Sequence, residues 1–221
     1  MKSRAPFLYI MALAGGILAN TAVLAGGKMY EVTVTNLTRG QSFTPILVAS
    51  HRPGVPPLFT VGHAASDELA ALAEGGATDL LTGVLDDDSA VVEVQTVDGL
   101  LEPGLSKTFM VSGAKGARQI TLAAMLIPTN DTFFALSGAA LPRGRDTVTY
   151  QSPGYDAGSE PNDELCVSIP GPVCGGAGGS PGASGEGTVH VQAGIHGIGD
   201  LVPADRDWRN PVAQITIRRV R

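Results

Sequence analysis

Between Asp156 and Glu164, five of nine side chains end in a carboxylate or amide oxygen: Asp156, Glu160, Asn162, Asp163 and Glu164. Hard cations such as Ca²⁺ take roughly six to eight oxygens at about 2.3 to 2.6 Å. The Asp156-Ala157-Gly158 turn lets several residues of one loop face a common point, so Asp156 and Glu160 could converge on one ion. The plainer reading is a solvated acidic loop. Asp131, in Pro128-Thr129-Asn130-Asp131, stands where a long apolar run ends, at the edge where a rigid scaffold presents its loops. Taken alone it reads as an Asx turn. Asp86-Asp87-Asp88 has no turn glycine within it and reads as a solvated loop. No segment carries the fixed spacing of an EF-hand loop, so a cation site here has to be assembled from different loops.

Other chemistry is poorly supported. His190 and His196 stand at neither the i, i+4 spacing of a helical zinc site nor the i, i+2 spacing of one strand face, and structural hydrogen bonding is expected of them. Ser112-Gly-Ala-Lys and Ser184-Gly-Glu-Gly are not nucleophile elbows, and no enzyme activity is expected. The single Trp208, in Asp205-Arg-Asp-Trp-Arg-Asn-Pro211, reads as an anchor that pins a turn with Arg stems beside it; an aromatic binding surface is the other reading.

The elements that must position these residues are short strands. Tyr30 to Thr35 alternates apolar and polar residues, the mark of a half-buried strand. Similar runs recur at 45–49, 90–97, 107–111, 119–127, 132–136, 146–150, 188–192 and 212–220. Nine short strands punctuated by Gly and Pro predict an all-β antiparallel sandwich. Gln119 to Ile127 is the longest apolar run and belongs in the centre of a sheet, covered on both faces. Between the second and third strands Ser66 can cap a helix over Asp67–Glu74, stopped by Gly75 and Gly76, and Thr78–Leu85 suggests a second; both lie in a sheet-connecting segment. Residues 170–187, rich in Gly, Pro and Ser, read as a flexible surface loop.

The chain has 221 residues, 43% hydrophobic and 16% charged, with 29 Gly and 15 Pro, which excludes a coiled coil or helical bundle. With 15 basic against 21 acidic residues the net charge is −6, and no nucleic-acid footprint is present. Lys2 and Arg4, the apolar stretch Phe7–Leu18 and the small residues Val23 and Ala25 form a secretory signal peptide cut after Ala25, leaving residues 26–221 as one domain. A retained anchor would need about 20 apolar residues, more than this stretch holds. Cleavage removes two of the basic residues and takes the net charge to −8, so binding to anionic membranes is not expected. Cys166 and Cys174, the only cysteines, are expected to pair as a local staple in an oxidising compartment.

Four segments, in order, resemble the spondin domain in its stand-alone secreted bacterial form: Tyr30 to Pro45 (Tyr-Glu-Val-Thr-Val-Thr-Asn-Leu-Thr-Arg-Gly-Gln-Ser-Phe-Thr-Pro), Ala124 to Asp131, Tyr155 to Glu160, and Asp207 to Val212 with the strand that follows. The resemblance spans about residues 29 to 220. It implies a C2-like β-sandwich that binds one Ca²⁺ at its edge, through an aspartate after a Met-containing strand and two acidic residues of an Asp-Ala-Gly-x-Asp loop. These fall on Asp131, Asp156 and Glu160. The sequence departs from the animal pattern in two places: Thr129-Asn-Asp131-Thr132 replaces Ser-Pro-Asp-Trp, and Glu160 replaces an Asp.

The expected function is therefore that of a secreted, calcium-stabilised binding or adhesion module, at the cell surface, in the periplasm or released, for an extracellular protein or glycan ligand. Adhesion rests on analogy alone. Two other classes compete: a secreted metal-dependent enzyme, with Asp163, Glu164 or His196 near the ion, and a C2-like module bridged to membranes by calcium.

Overall fold

The computed structural model describes residues 27–180 and 184–220, so the signal peptide read at residues 1–25 lies outside the described residues. Among the described residues, eleven strands form two antiparallel sheets, as an all-β sandwich requires. They are β1 (Met29–Asn36), β2 (Ser42–Phe43), β3 (Ile46–His51), β4 (Val91–Val97), β5 (Ser106–Ser112), β6 (Gln119–Ile127), β7 (Thr132–Ala140), β8 (Thr147–Ser152), β9 (Tyr155–Asp156), β10 (His190–Val191) and β11 (Ala213–Arg219). The smaller sheet runs β5-β1-β11-β8 and the larger β10-β9-β7-β6-β3-β4, with β2 paired to the end of β6.

Alternation decides the small sheet. Tyr30, Val32 and Val34 of β1 and Ala213, Ile215 and Ile217 of β11 turn inward, while Glu31, Thr33, Thr216 and Arg218 turn out. In β6, Ile120, Leu122, Ala124 and Leu126 meet that inner face, and Ala123 faces a second cluster on the other side of the larger sheet. Nearly every β6 residue is buried because both faces are covered.

The second cover is helical. α1 (Asp67–Gly75) lays Leu69, Leu72 and Ala73 into the second cluster with Leu47, Phe133 and Ala135, and α2 (Asp79–Asp86) adds Leu81 and Leu85. Ser66 Oγ accepts the Leu69 N–H, and Gly76, at φ 69°, closes the other end on the Ala71 and Leu72 carbonyls. The connecting segment is thus a third layer. A four-residue helix, α3 (Pro203–Arg206), precedes Trp208, which is buried in the main core and anchors its turn. His51 is structural, with Nδ1 on the Arg52 carbonyl and Nε2 on Thr121 Oγ1.

Side chains stitch the two sheets together along both open sides. On one side Gln95 Nε2 of β4 donates to the Met110 carbonyl of β5, and Glu93 Oε2 accepts the Ser112 N–H. On the other, Ser152 Oγ of β8 accepts the Ala135 N–H of β7 and donates to its carbonyl, and Tyr150 Oη donates to the Ala140 carbonyl.

Candidate metal centre

The β6–β7 turn delivers Asp131 to one end of the larger sheet. The side chain is fully buried, and Oδ2 accepts the N–H groups of Ser159 (2.8 Å) and Glu160 (3.0 Å) and the Ser159 hydroxyl (3.2 Å). The Asx turn anticipated for Asp131 is not what forms: these bonds reach a loop 28 and 29 residues away. Thr129 Oγ1 makes the local turn instead, accepting the Thr132 N–H.

Asp156 sits on β9, opposite Thr132 on one side and His190 on the other, and is also fully buried. Its Oδ1 accepts the Gly158 N–H at 2.7 Å; Oδ2 accepts from Asn162 Nδ2 (2.6 Å) and Gln192 Nε2 (3.1 Å). Gly158 is required by this turn: its φ is 67°, and a Cβ there would stand 2.5 Å from the Thr188 carbonyl oxygen.

Glu160 follows two residues after that glycine and is 1% exposed. Among the described residues, neither of its carboxylate oxygens has a hydrogen-bond partner, and neither does Asp131 Oδ1. The Ser180 hydroxyl interacts with Glu160 without reaching hydrogen-bond geometry, and its Oγ is likewise buried and unpartnered. Glu74, at the end of α1, approaches from across the 170–180 segment: a Cβ on Gly179 would lie 3.6 Å from Glu74 Oε2 and 3.9 Å from Glu160 Oε1.

Burial first, then the charge of Asp156, pushes the Asp131 carboxyl up to about 7 against the bonds from Ser159 and Glu160. Burial likewise pushes Glu160 up to about 7, with Glu74, Asp131 and Asp163 adding repulsion and Ser180 opposing. Asp156 is raised by burial and held back by Asn162, Gly158 and His190. Three acidic groups thus crowd one buried corner, and among the described residues no cationic side chain is bonded to Asp131 or Glu160.

Among the described residues, no three His, Cys, Asp or Glu side chains stand together as a finished ligand cage. The donor set nonetheless fits a hard cation. Three carboxylate oxygens are buried with no proton donor among the described residues, which is costly for an anion unless something positive faces it. Asp156 Oδ1, with one hydrogen bond, keeps a lone pair for the same purpose.

The neighbouring acids have other tasks. Glu164, buried and at φ 58°, accepts the N–H groups of His196 (2.5 Å), Gly197 (2.7 Å) and Ile198 (3.1 Å), clamping the 196–198 loop. Asp163 Oδ1 accepts from Asn130 Nδ2 and the Leu165 N–H, and Asn130 Oδ1 takes the Glu164 N–H. His196 and His190 stand 3.9 Å from Glu164 and Asp156. Asp88 of the second acidic run caps the Ala90 N–H. Cys166 and Cys174 are joined in a disulfide packed beside the main core, and the Cys166 N–H is held by Asp200. This bond points to an oxidising, extracellular environment. No helix among the described residues is long and apolar enough to cross a membrane.

Gln192, Asn162 and Glu74 complete the surroundings, and sequence reasoning gave only Asn162 a place there. Gln192 arrives through the β9–β10 pairing and Glu74 through the packing of α1, relationships with no local signature. No family model and no curated protein matches this chain.

Proposed function

We propose that this chain is an exported, calcium-stabilised β-sandwich of the spondin type, acting outside the cell as a binding or adhesion module, with Asp131, Asp156 and Glu160 holding one Ca²⁺. The observation that carries this reading is the trio of buried carboxylate oxygens with no hydrogen-bond donor among the described residues, one on Asp131 and two on Glu160. A bound Ca²⁺ supplies the positive charge that this corner lacks.

The chain's own residues do the positioning. Ser159 and Glu160 fix Asp131 through their N–H groups, Asn162 and Gln192 orient Asp156, and Gly158 folds the loop so that Glu160 turns inward. Filling the site would lock the β6–β7 turn to the 156–160 loop and present the surrounding edge to an extracellular protein or glycan. A binding role is preferred to a metal-dependent enzyme because the nearest acids are engaged: Glu164 by three N–H groups and Asp163 by Asn130 and Leu165.

Calorimetric titration of the chelator-treated protein with CaCl₂ and with MgCl₂ tests the site. One Ca²⁺ per chain, bound more tightly than Mg²⁺ and lost in Asp131→Asn, is expected. Absence of Ca²⁺ binding to the folded wild type would overturn the proposal.

A further inference from the structure

The end of the sandwich away from Asp131 has the opposite charge. β6 runs from Gln119 to Ile127 and β7 back from Thr132 to Ala140, with Gln119 opposite Ala140, so Arg118 and Leu141 lie one strand length, about 30 Å, from the acidic corner. The Leu141 N–H donates to the Arg118 carbonyl at 2.8 Å. The small sheet reaches the same end through Lys28 and through Tyr30, whose register partner is Arg219.

Between these strand ends lies a cavity of about 380 Å³, lined by Lys28, Arg118, Arg143 and Arg219 with Tyr30 and Leu141, and none of the described residues that line it is acidic. An adjoining hollow shares Arg219 and adds Arg145. Five of the chain's 15 Lys and Arg residues therefore gather at one point of a protein with net charge −6. Lys28, Arg118 and Arg143 are exposed, and their side chains make no hydrogen bond or ion pair among the described residues. The other exposed cations that are bonded show the contrast: Arg218 grips Glu31, and Arg209 grips Asp207.

Lys28, Arg118 and Arg143, gathered without a counter-charge among the described residues, repel one another, and a ligand that brings anionic oxygens removes that cost. Guanidinium groups present paired N–H donors that match carboxylate, sulfate or phosphate oxygens two at a time. The cavity is of the size that takes one or two sugar rings, and Leu141 and the Tyr30 ring give it an apolar wall. We infer that this cavity is a second binding site, for the oxyanion groups of an acidic glycan, built by the convergence of Lys28, Arg118 and Arg143 at the strand ends. It is independent of the metal centre. At about 30 Å, more than three Debye lengths at physiological salt, the two ends scarcely sense one another.

Calorimetry of the protein with a heparin-derived sulfated hexasaccharide, with neutral maltohexaose and with sodium sulfate, each with and without EGTA, tests this. The sulfated hexasaccharide should bind, maltohexaose should not, and sulfate alone should bind more weakly because it engages fewer cations. Arg118→Glu and Arg143→Glu should each weaken hexasaccharide binding about tenfold or more, while Arg39→Glu, the same charge change just beyond the far end of β1, should leave it within about twofold. Both sites are exposed, and circular dichroism checks that the variants fold. Equal binding by Arg118→Glu and Arg143→Glu, equal binding of maltohexaose, tighter binding of sulfate than of the hexasaccharide, or no binding at low salt would each overturn the inference. Binding that persists in EGTA separates this site from the calcium reading, and binding lost in EGTA would overturn its independence.

Discussion

The Glu160 main chain donates its N–H to Asp131 Oδ2 at 3.0 Å, while the second Asp131 oxygen and both Glu160 carboxylate oxygens accept nothing from the described residues. The two residues are thus fixed to each other by the backbone and left in electrostatic conflict by their side chains. Whatever relieves that conflict stabilises the fold, and four expectations follow from this corner and from its supports.

Calcium should raise the melting temperature of the wild type, since a ligand of the native state at a hundredfold excess over Kd contributes about 2.7 kcal/mol. Glu160→Gln should abolish the rise. In EGTA at pH 8 the same variant should melt no lower than the wild type, because it removes a buried charge that has no partner. Differential scanning calorimetry reads both, and a Glu160→Gln protein that still gains stability from calcium would exclude Glu160 as a ligand.

The calcium-free protein should be more stable in mild acid than in mild alkali. Asp131 and Glu160 titrate near 7 when folded and near 4 when unfolded, so between these values the folded chain binds more protons. Stability is then highest toward the low end of the window and falls as pH rises through about 7. Urea denaturation of metal-stripped protein from pH 5 to 8 checks this slope, and saturating calcium should flatten it.

Glu164→Ala should be among the most damaging single changes near the site. It strands three N–H groups, at about 1 to 3 kcal/mol for each that stays buried. Glu164→Gln, which keeps acceptor capacity, should lose less. The difference between their urea midpoints measures the clamp.

Replacing Cys166 and Cys174 together by Ser should cost about 2.5 kcal/mol, the loop-closure contribution for a ring this small. Equilibrium denaturation of the double variant against the wild type gives the value. A loss well above this would mean that the disulfide also holds the packing of the core it adjoins.

Much of the fold was legible because its signals are local. The alternation in β1 and β11 is read directly, the unbroken apolar run of β6 implies cover on both faces, and Ser66 with Gly75 and Gly76 brackets α1. The two-residue strands β2 and β9 are too short for any period to show. β7 extends to Ala140, past the apolar residues that marked it, because pairing with β6 carries the backbone onward. Sequence also could not show that the helices cover the larger sheet, since their partners lie in β3, β6 and β7. At the candidate site, Asp156 and Glu160 share one loop, so their common stretch is legible in the sequence. The bonds from the distant Ser159–Glu160 loop to Asp131, and the approach of Glu74 and Gln192, arise only from tertiary packing.

The bonds from Gln95 and Glu93 to β5, and from Ser152 and Tyr150 to β7, occupy main-chain groups that a two-sheet protein would otherwise leave bare along its seams. Bare strand margins are where a second molecule adds its own strand and polymerisation begins. With its seams laced by side chains, the sandwich takes on the character of a closed barrel, offering neighbouring molecules little main-chain template even at high concentration.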